Sequence, residues 1–472
     1  MAAALVASIA RQELKEGEEL PSTRVLARQL GYSRSVVVSA YEELVASGFL
    51  TARAGSSTRV AVGAKQAAAL DARQEEVAAR DIVINSLATG SDPTPDTRLS
   101  ESASLDLLPG YPDTELIDAL DWRRAFKAAS QQALWDRAIS HQPGDVRVHR
   151  FLPDLQEQVA EHIRTRRHLL CDPQDVFFFP SVTSALRTLT SVLDLRGRTV
   201  AMEDPGYRSA RTALTNAGAC IHGVAVDADG IRVDQIPPEA AATYVTPAHQ
   251  FPLGSRLSVT RRAQLLSWAA AHGGYVFEDD YDGEFRYDLP PMPPLRAMST
   301  GERHVIYLGT ASKILTRDLR VAWAVTPPHL RGPIQQALLD DGDSVSALSA
   351  WALTELLRSG AVTRHTVRAM RTYRARRDRF TRAVQELLPD VRLLGINAGL
   401  HTVLAWDQVD EAQLVSRLAA RGVACAPLSQ YWSSALAPRH VQGLVCGYAR
   451  LRETHAMPVV RLIGEEVRTH QG

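Results

Sequence analysis

The hydrophobic pattern changes period along the chain. Near the N-terminus, apolar positions recur every three or four residues, the spacing of one helix face. Leu5 and Ile9 predict a first helix from Ala2 to Lys15, broken by Glu16-Gly17-Glu18-Glu19. Ser22 is placed to cap a helix with Val25, Leu26 and Leu30 inward, and Gly31 to end it. Ser33 is placed to cap another from Arg34 to Ser47, with Val37, Ala40, Tyr41, Leu44 and Val45 inward. The run Val36-Val37-Val38 lowers helix propensity there. From Thr51 to Val60, two short strands are expected around a Gly55-Ser56-Ser57 tip.

Periodicity is then lost. Ala64 to about Ser104 is rich in Ala, Asp, Glu, Ser, Thr and Pro, and reads as a flexible tether, with a frayed helix at most up to Ala79. Beyond it, short apolar runs alternate with helical patterns. Strands are predicted at 176–179, 199–202, 220–224, 242–245, 274–278, 304–308 and 321–325. That alternation argues for an α/β domain with a mostly parallel sheet covered on both faces. From about Pro328, long helical patterns lead to a smaller α+β part, with strands near 401–405 and 444–448. No internal repeat is visible.

A length of 472 residues admits two to four domains. The formal net charge is +0, so a nucleic-acid reading must rest on local charge. Between Ser22 and Val60 five arginines (Arg24, Arg28, Arg34, Arg53, Arg59) face two acids (Glu42, Glu43), an excess of three. Cys171, Cys220, Cys425 and Cys446 form no C-x-x-C pair, which argues against a disulfide framework or a zinc site, and no metal is expected. No apolar run reaches the roughly 18 residues of a membrane span, and the N-terminus lacks a signal-peptide pattern. A soluble, cytoplasmic protein is expected.

The two N-terminal helices and their Gly-containing turn form a helix-turn-helix pattern. The second helix would enter the major groove of double-stranded DNA by Ser33, Arg34, Ser35 and Ser39. Ser22 and Arg24 on the first helix, and Arg53, Gly55 and Arg59 on the β-wing, complete the expected DNA surface. The pattern L-P-S-T-R-x-L-A-x-x-L-G-x-S-R-x-x-V-x-x-A-Y-x-x-L-x-x-x-G resembles the GntR-type winged helix-turn-helix from Glu19 to about Val62.

A second chemistry lies at Tyr307 to Arg320. The apolar run Val305-Ile306-Tyr307-Leu308 stops at Gly309, and a loop with Thr310 and Ser312 presents Lys313. Desolvating such a lysine lowers its pKa and frees the amine to condense with a carbonyl. Arg320 and the two hydroxyls suit a phosphate. A carbonyl compound carrying a phosphate describes pyridoxal 5′-phosphate (PLP). The strand Tyr275-Val276-Phe277 ends in Glu278-Asp279-Asp280, and alternation puts Asp279 and Tyr281 on one face. PLP needs a carboxylate at its pyridine nitrogen and a donor near its ring oxygen.

These stretches resemble the fold-type I PLP enzymes, the aspartate aminotransferase superfamily, from about Leu107 onward. Further pieces match in order: Glu203-Asp204-Pro205-Gly206-Tyr207, Tyr244 to Gly254, and Pro180 to Leu186. The resemblance implies that Lys313 is the Schiff-base lysine, forming an internal aldimine, and that Asp279 partners the pyridine nitrogen. Tyr281 goes to the ring oxygen and Tyr207 to the ring face. Phosphate contacts go to Val182, Thr183, Thr310, Ser312 and Arg320, with His249 beside the ring. Departures are also legible. Val146 to Pro153 lacks the Tyr and Gly of the stretch that reaches a neighbouring subunit's phosphate. Ser181 stands where Gly is common. Gln442 and Gly443 occupy the place of a substrate-carboxylate arginine, with Arg439 a few residues back.

A GntR-type reader (1–62), a tether (63–104) and an aminotransferase-like body (105–472) together resemble the MocR-type regulators. That resemblance implies a PLP-dependent transcriptional regulator, sensing PLP or an amino compound through a head-to-tail homodimer. The departures speak against full transamination, so an active aminotransferase with a vestigial DNA-binding arm is the alternative. A body that has lost PLP altogether is opposed by the intact Lys313, Asp279 and Tyr281. The basic stretch Arg364 to Arg382 reads as a solvated helix before an auxiliary DNA surface.

Overall fold

The computed structural model describes residues 5, 8–9, 11, 13–46, 50–51, 58–61, 105–139, 152–287, 292–298, 300–341, 345–396, 398–433 and 441–471. The chain divides into two compact units, Met1–Asp92 and Pro93–Gly472. The tether expected over 63–104 lies outside the described residues.

In the first unit, helices Thr23–Leu30 and Arg34–Ala46 are joined by Gly31 in the left-handed conformation, φ 69°. Val37, Ala40, Tyr41 and Leu44 are buried, with Leu20, Leu26, Leu50 and Val60 completing the core. The Tyr41 hydroxyl donates to the Pro21 carbonyl at 2.8 Å. Strands β1 (Leu50–Thr51) and β2 (Arg59–Val60) pair antiparallel, Leu50 opposite Val60. Three expectations are corrected. Val25 and Val45 are 48% and 38% exposed, because each helix buries only a narrow stripe and these positions fall off its edge. Ser22 holds the N-cap position, yet its side chain makes no capping bond. Of the predicted first helix, Leu5, Ser8 and Ile9 are helical, but Arg11 is turn and Glu13 and Leu14 are bend.

The second unit is built on a sheet of eight strands. In chain order, β3 is Leu105–Asp106, β4 Val176–Phe179, β5 Thr199–Asp204, β6 Cys220–Asp227, β7 Gly230–Ile231 and β8 Ala242–Val245. Then come β9 Tyr275–Asp279, β10 Val305–Thr310 and β11 Ala322–Val325. The order is β4-β11-β10-β9-β8-β5-β6-β7, with β6, β5, β8, β9 and β10 parallel and β11 antiparallel to both neighbours. Strands β4, β8, β10 and β11 are buried along their whole length, as expected where both faces of the sheet are covered. Phe177 and Phe179 enter one core with Leu186, Met202 and Tyr244. Val176 and Phe178 enter the other with Val159, Trp323 and Leu353.

The smaller C-terminal part holds β12 (Arg392–Leu394), β13 (His401–Trp406), β14 (Val423–Ala424), β15 (Ala426–Pro427) and β16 (Gln442–Gly447). Strands β12-β13-β16-β15 form an antiparallel sheet, and helices Ala361–Leu387 and Ala456–Gln471 contribute to the apolar core around it. The remaining pair, β14 and β3, is parallel and ties the start of this unit to its end. Leu107 donates to the Ala424 carbonyl and accepts from the Gly447 amide, both at 2.7 Å. These bonds hold the following Pro109-Gly110-Tyr111 segment in place. The basic helix spends several arginines internally. Arg376 pairs with Asp113 at 2.7 Å, Arg364 with Asp121 at 2.8 Å, and buried Arg377 stacks on Tyr287 at 4.8 Å.

Candidate functional site

Strands β9 and β10 run in register, Leu308 beside Asp279. Both point their carboxyl ends at a cavity of about 500 Å³, the usual ligand position in a parallel sheet. Its walls include Asp279, Lys313, Tyr207, Tyr281, Ser312 and Arg320. Val182, Thr183 and Thr310 line it as well. Of the sequence-predicted body residues, only His249 stands back from the wall. It sits behind Tyr281, its Nδ1 3.0 Å from the Tyr281 hydroxyl and 2.8 Å from Asp282 Oδ2.

The three consecutive acids at the end of β9 have three separate solutions. Glu278 accepts from the Leu295 and Arg296 amides at 2.7 and 3.0 Å. Asp280 is paired with buried Arg167 and accepts from the Tyr307 hydroxyl at 2.6 Å. Asp279, on the opposite face, takes the Tyr244 hydroxyl on Oδ2. Its Oδ1 is buried and has no hydrogen-bond partner among the described residues. Burial pushes this carboxyl up to about 7, with the Tyr244 bond acting the other way.

Lys313 stands in the single turn Ala311–Ile314, which Thr310 caps by accepting from the Ser312 amide at 3.1 Å. Burial pushes its amine down to about 8, Arg317 adds to the fall, and Asp279 opposes it. The amine donates to the Gly110 carbonyl at 2.6 Å. On the phosphate side, Ser181 caps helix Val182–Val192 by accepting from the Ser184 amide at 3.1 Å. The first amides of that helix have no intrahelical acceptor and carry its positive end. Arg320 reaches the cavity from a left-handed position, φ 52°.

A chain of edge-on aromatics closes one side. Phe251 meets Tyr207 at 5.9 Å, Tyr281 at 5.7 Å and Tyr431 at 5.0 Å. Tyr111, Arg208, Arg317, Gln430 and Tyr431 also line the cavity and were not assigned from the sequence. Arg208 follows Tyr207 and Arg317 lies inside the lysine loop, so both were within reach. Tyr431 carried no local signal. His249, Asp282 and His401 are buried together, with ligand atoms within 4.8 Å of one another. His401 Nε2 lies 3.0 Å from the Pro252 carbonyl, which fixes that nitrogen as the donor.

Gln442 is turned away from the cavity, its Oε1 accepting from the Val409 amide at 2.8 Å. Arg439 and Val146 to Phe151 lie outside the described residues.

On the first unit, Ser22, Arg24, Ser33 and Arg34 are exposed. Ser33 Oγ lies 3.5 Å from the Val36 amide. Arg59 is held internally, bonded to Glu19 at 2.7 Å and to the Gly17 carbonyl at 3.1 Å. Arg53 and Gly55 lie outside the described residues, as do the side chains of Ser35 and Ser39. Val25, Tyr32 and Val36 are exposed apolar residues that charge counting did not reveal.

The two units define a helix-turn-helix protein with an aminotransferase-like body. The model of bacterial regulatory proteins of the gntR family matches residues 1–60, and that of aminotransferase class I and II matches 122–436. The pyridoxine biosynthesis regulator PdxR of Corynebacterium glutamicum is 32% identical over 440 residues, 93% of this chain and 89% of its own. The probable rhizopine catabolism regulatory protein MocR of Rhizobium meliloti is 31% identical, over 94% of this chain and 88% of its own. A Pyrococcus horikoshii kynurenine aminotransferase shares the fold, with TM-score 0.72 at 20% identity, covering 84% of this chain and 100% of that one. The chain belongs to the MocR-type GntR regulators, helix-turn-helix transcriptional regulators that carry an aminotransferase-like domain. The class I and II aminotransferase fold is that of PLP-dependent proteins. No helix among the described residues is long and apolar enough to cross a membrane.

Proposed function

We propose that this protein is a cytoplasmic, homodimeric regulator that reads a double-stranded DNA operator through residues 1–62 and holds PLP in the cavity around Lys313. A tether over 63–104 joins the reader to the body, 105–472. The observation that carries the reading is the pairing, in one cavity, of an unsatisfied buried acceptor with a desolvated amine. Among the described residues Asp279 Oδ1 is a buried acceptor without a donor, and Lys313 is an amine that burial pushes down to about 8. A protonated pyridine nitrogen satisfies the first, and an aldehyde is the partner a free amine of this kind condenses with. PLP, when bound, supplies an electrophilic carbonyl and an electron-withdrawing ring.

The remaining work belongs to this chain's side chains. Tyr207 packs on the ring face, and Tyr281 donates at the ring oxygen, oriented by His249 and Asp282. Val182, Thr183, Thr310, Ser312 and Arg320 hold the phosphate. PLP, or an amine that reacts with it, shifts the DNA-binding arrangement by the difference in its affinity for two states of the dimer. The body is used for sensing rather than turnover. Gln442, at the place expected for a substrate-carboxylate arginine, is committed to Val409.

Selection of duplexes from a randomised pool by the full-length protein, with and without PLP, tests the reading. A recovered sequence whose affinity changes at least several-fold when PLP is added supports it. Identical binding at verified PLP occupancy contradicts it.

A further inference from the structure

The cavity holds more positive charge than a phosphate site requires. Arg320, Ser312 and the start of helix Val182–Val192 supply the phosphate end, yet Arg317 lines the same cavity. Its position is fixed by an aromatic stack. The Arg317 guanidinium lies 4.4 Å from the centre of the Tyr111 ring, and Arg450 lies 4.5 Å from it. Arg450 is in turn paired with Asp106. Tyr111 follows Gly110, whose carbonyl is 2.6 Å from the Lys313 amine. Arg317 therefore belongs to the amine end of the cavity. The field it exerts agrees with this: burial lowers the Lys313 amine and Arg317 adds to the fall, while burial raises the Tyr207 hydroxyl and Arg317 opposes the rise.

A stacked guanidinium keeps its N–H edge available for a bidentate acceptor. Among the described residues, Arg317 has no carboxylate partner to occupy that edge. The Asp279 carboxylate faces the ring nitrogen in the proposed arrangement and is not a competitor.

Resting on the PLP reading above, we propose that Arg317 selects the effector, an amine bearing a carboxylate or other anionic group that it binds while the amine meets the cofactor at Lys313. The arginine on the lysine loop thus stands in for a carboxylate arginine ahead of β16. Tyr111 and Arg450 are positioning residues that hold its plane.

The test uses full-length protein loaded with PLP and matched amines of equal length, 3-aminopropanoate against 3-aminopropan-1-ol and alanine against alaninol. Half-saturation is read from the change in the cofactor's near-visible absorption. Wild type should prefer the acid of at least one pair by roughly tenfold or more. Arg317→Ala should abolish that preference by weakening the acid far more than the neutral amine, with the protein still able to be loaded with PLP, and Arg317→Lys should restore part of it. Equal loss for acid and alcohol, or an unaltered preference, overturns the proposal. Failure of Arg317→Ala to load with PLP even at saturating PLP also overturns it and makes Arg317 a phosphate ligand. If wild type develops no cofactor absorption at all, the PLP reading itself fails, and this inference with it.

Discussion

The Lys313 amine and the Gly110 carbonyl oxygen are 2.6 Å apart, although 203 positions separate them in the chain. The contact exists because β3 pairs with β14 and carries Pro109-Gly110-Tyr111 over the lysine loop. Gly110 has φ 79°, and a Cβ added there would lie 2.7 Å from Lys313 Nζ. Gly110→Ala should therefore strain the backbone and displace the amine together. PLP half-saturation, followed by absorbance, should weaken about tenfold or more, with the circular dichroism spectrum retained. Unchanged PLP affinity would show that the amine has room to move.

Lys313 should attach PLP with a pH profile set by its own environment. Below its lowered value of about 8 the amine is protonated and unreactive, and above it the amine is free. The rate of development of the cofactor's absorption should rise through about pH 8 and then level. A profile that keeps rising toward pH 10.5, the ordinary lysine value, would contradict the desolvated site.

Asp279 should cost the cofactor-free protein stability. Its folded value, about 7, is raised above an ordinary value of 3.8. The folded state thus binds the extra proton between those values, and stability contributed by the neutral form is lost as pH rises through 7. Asp279→Asn keeps an acceptor for Tyr244 but cannot ionise. In thermal melts of the cofactor-free protein, the variant should gain on wild type from about pH 4 to pH 7 and hold its gain above that, on the order of a few kcal/mol. With PLP present the order should reverse, because the carboxylate partner of the ring nitrogen is gone. A constant difference across pH would refute a neutral buried Asp279.

The first unit separates two arginines that charge counting treats alike. Arg34 is exposed at the start of the second helix, whereas Arg59 is bonded to Glu19 and Gly17. Arg34→Ala should weaken operator binding by about 1–3 kcal/mol, the value of a bidentate base contact. Arg59→Ala should cost less, because its charge is already offset. Exposed Val36 is suited to a thymine methyl, so Val36→Ser should lower discrimination at one base pair more than overall affinity. Titration at fixed salt checks all three, and equal losses for Arg34 and Arg59 would contradict the distinction.

Much of this arrangement was legible in the sequence. The strand ends are marked by abrupt changes from apolar runs to Gly309 or to Glu278-Asp279-Asp280, so Lys313 and Asp279 could be named from pattern and chemistry. The two helices of the first unit follow from Gly31 and the spacing of Val37, Tyr41 and Leu44. What failed was the width of the buried stripe: Val25 and Val45 are apolar but lie off its edge. What escaped was contact across distance. Tyr111 reaches Arg317 only through the β3–β14 pairing, and Tyr431 reaches Phe251 across the two parts of the body. No local pattern encodes either contact.

The most direct test of the central claim is borohydride reduction of the full-length protein after addition of PLP, followed by mass mapping of the labelled peptide. Label on Lys313, with none in Lys313→Ala and the near-visible absorption lost in both, is the predicted result. Absence of label in the folded wild type, or label confined to another lysine, would contradict the account and leave a DNA-binding protein whose body serves some other purpose.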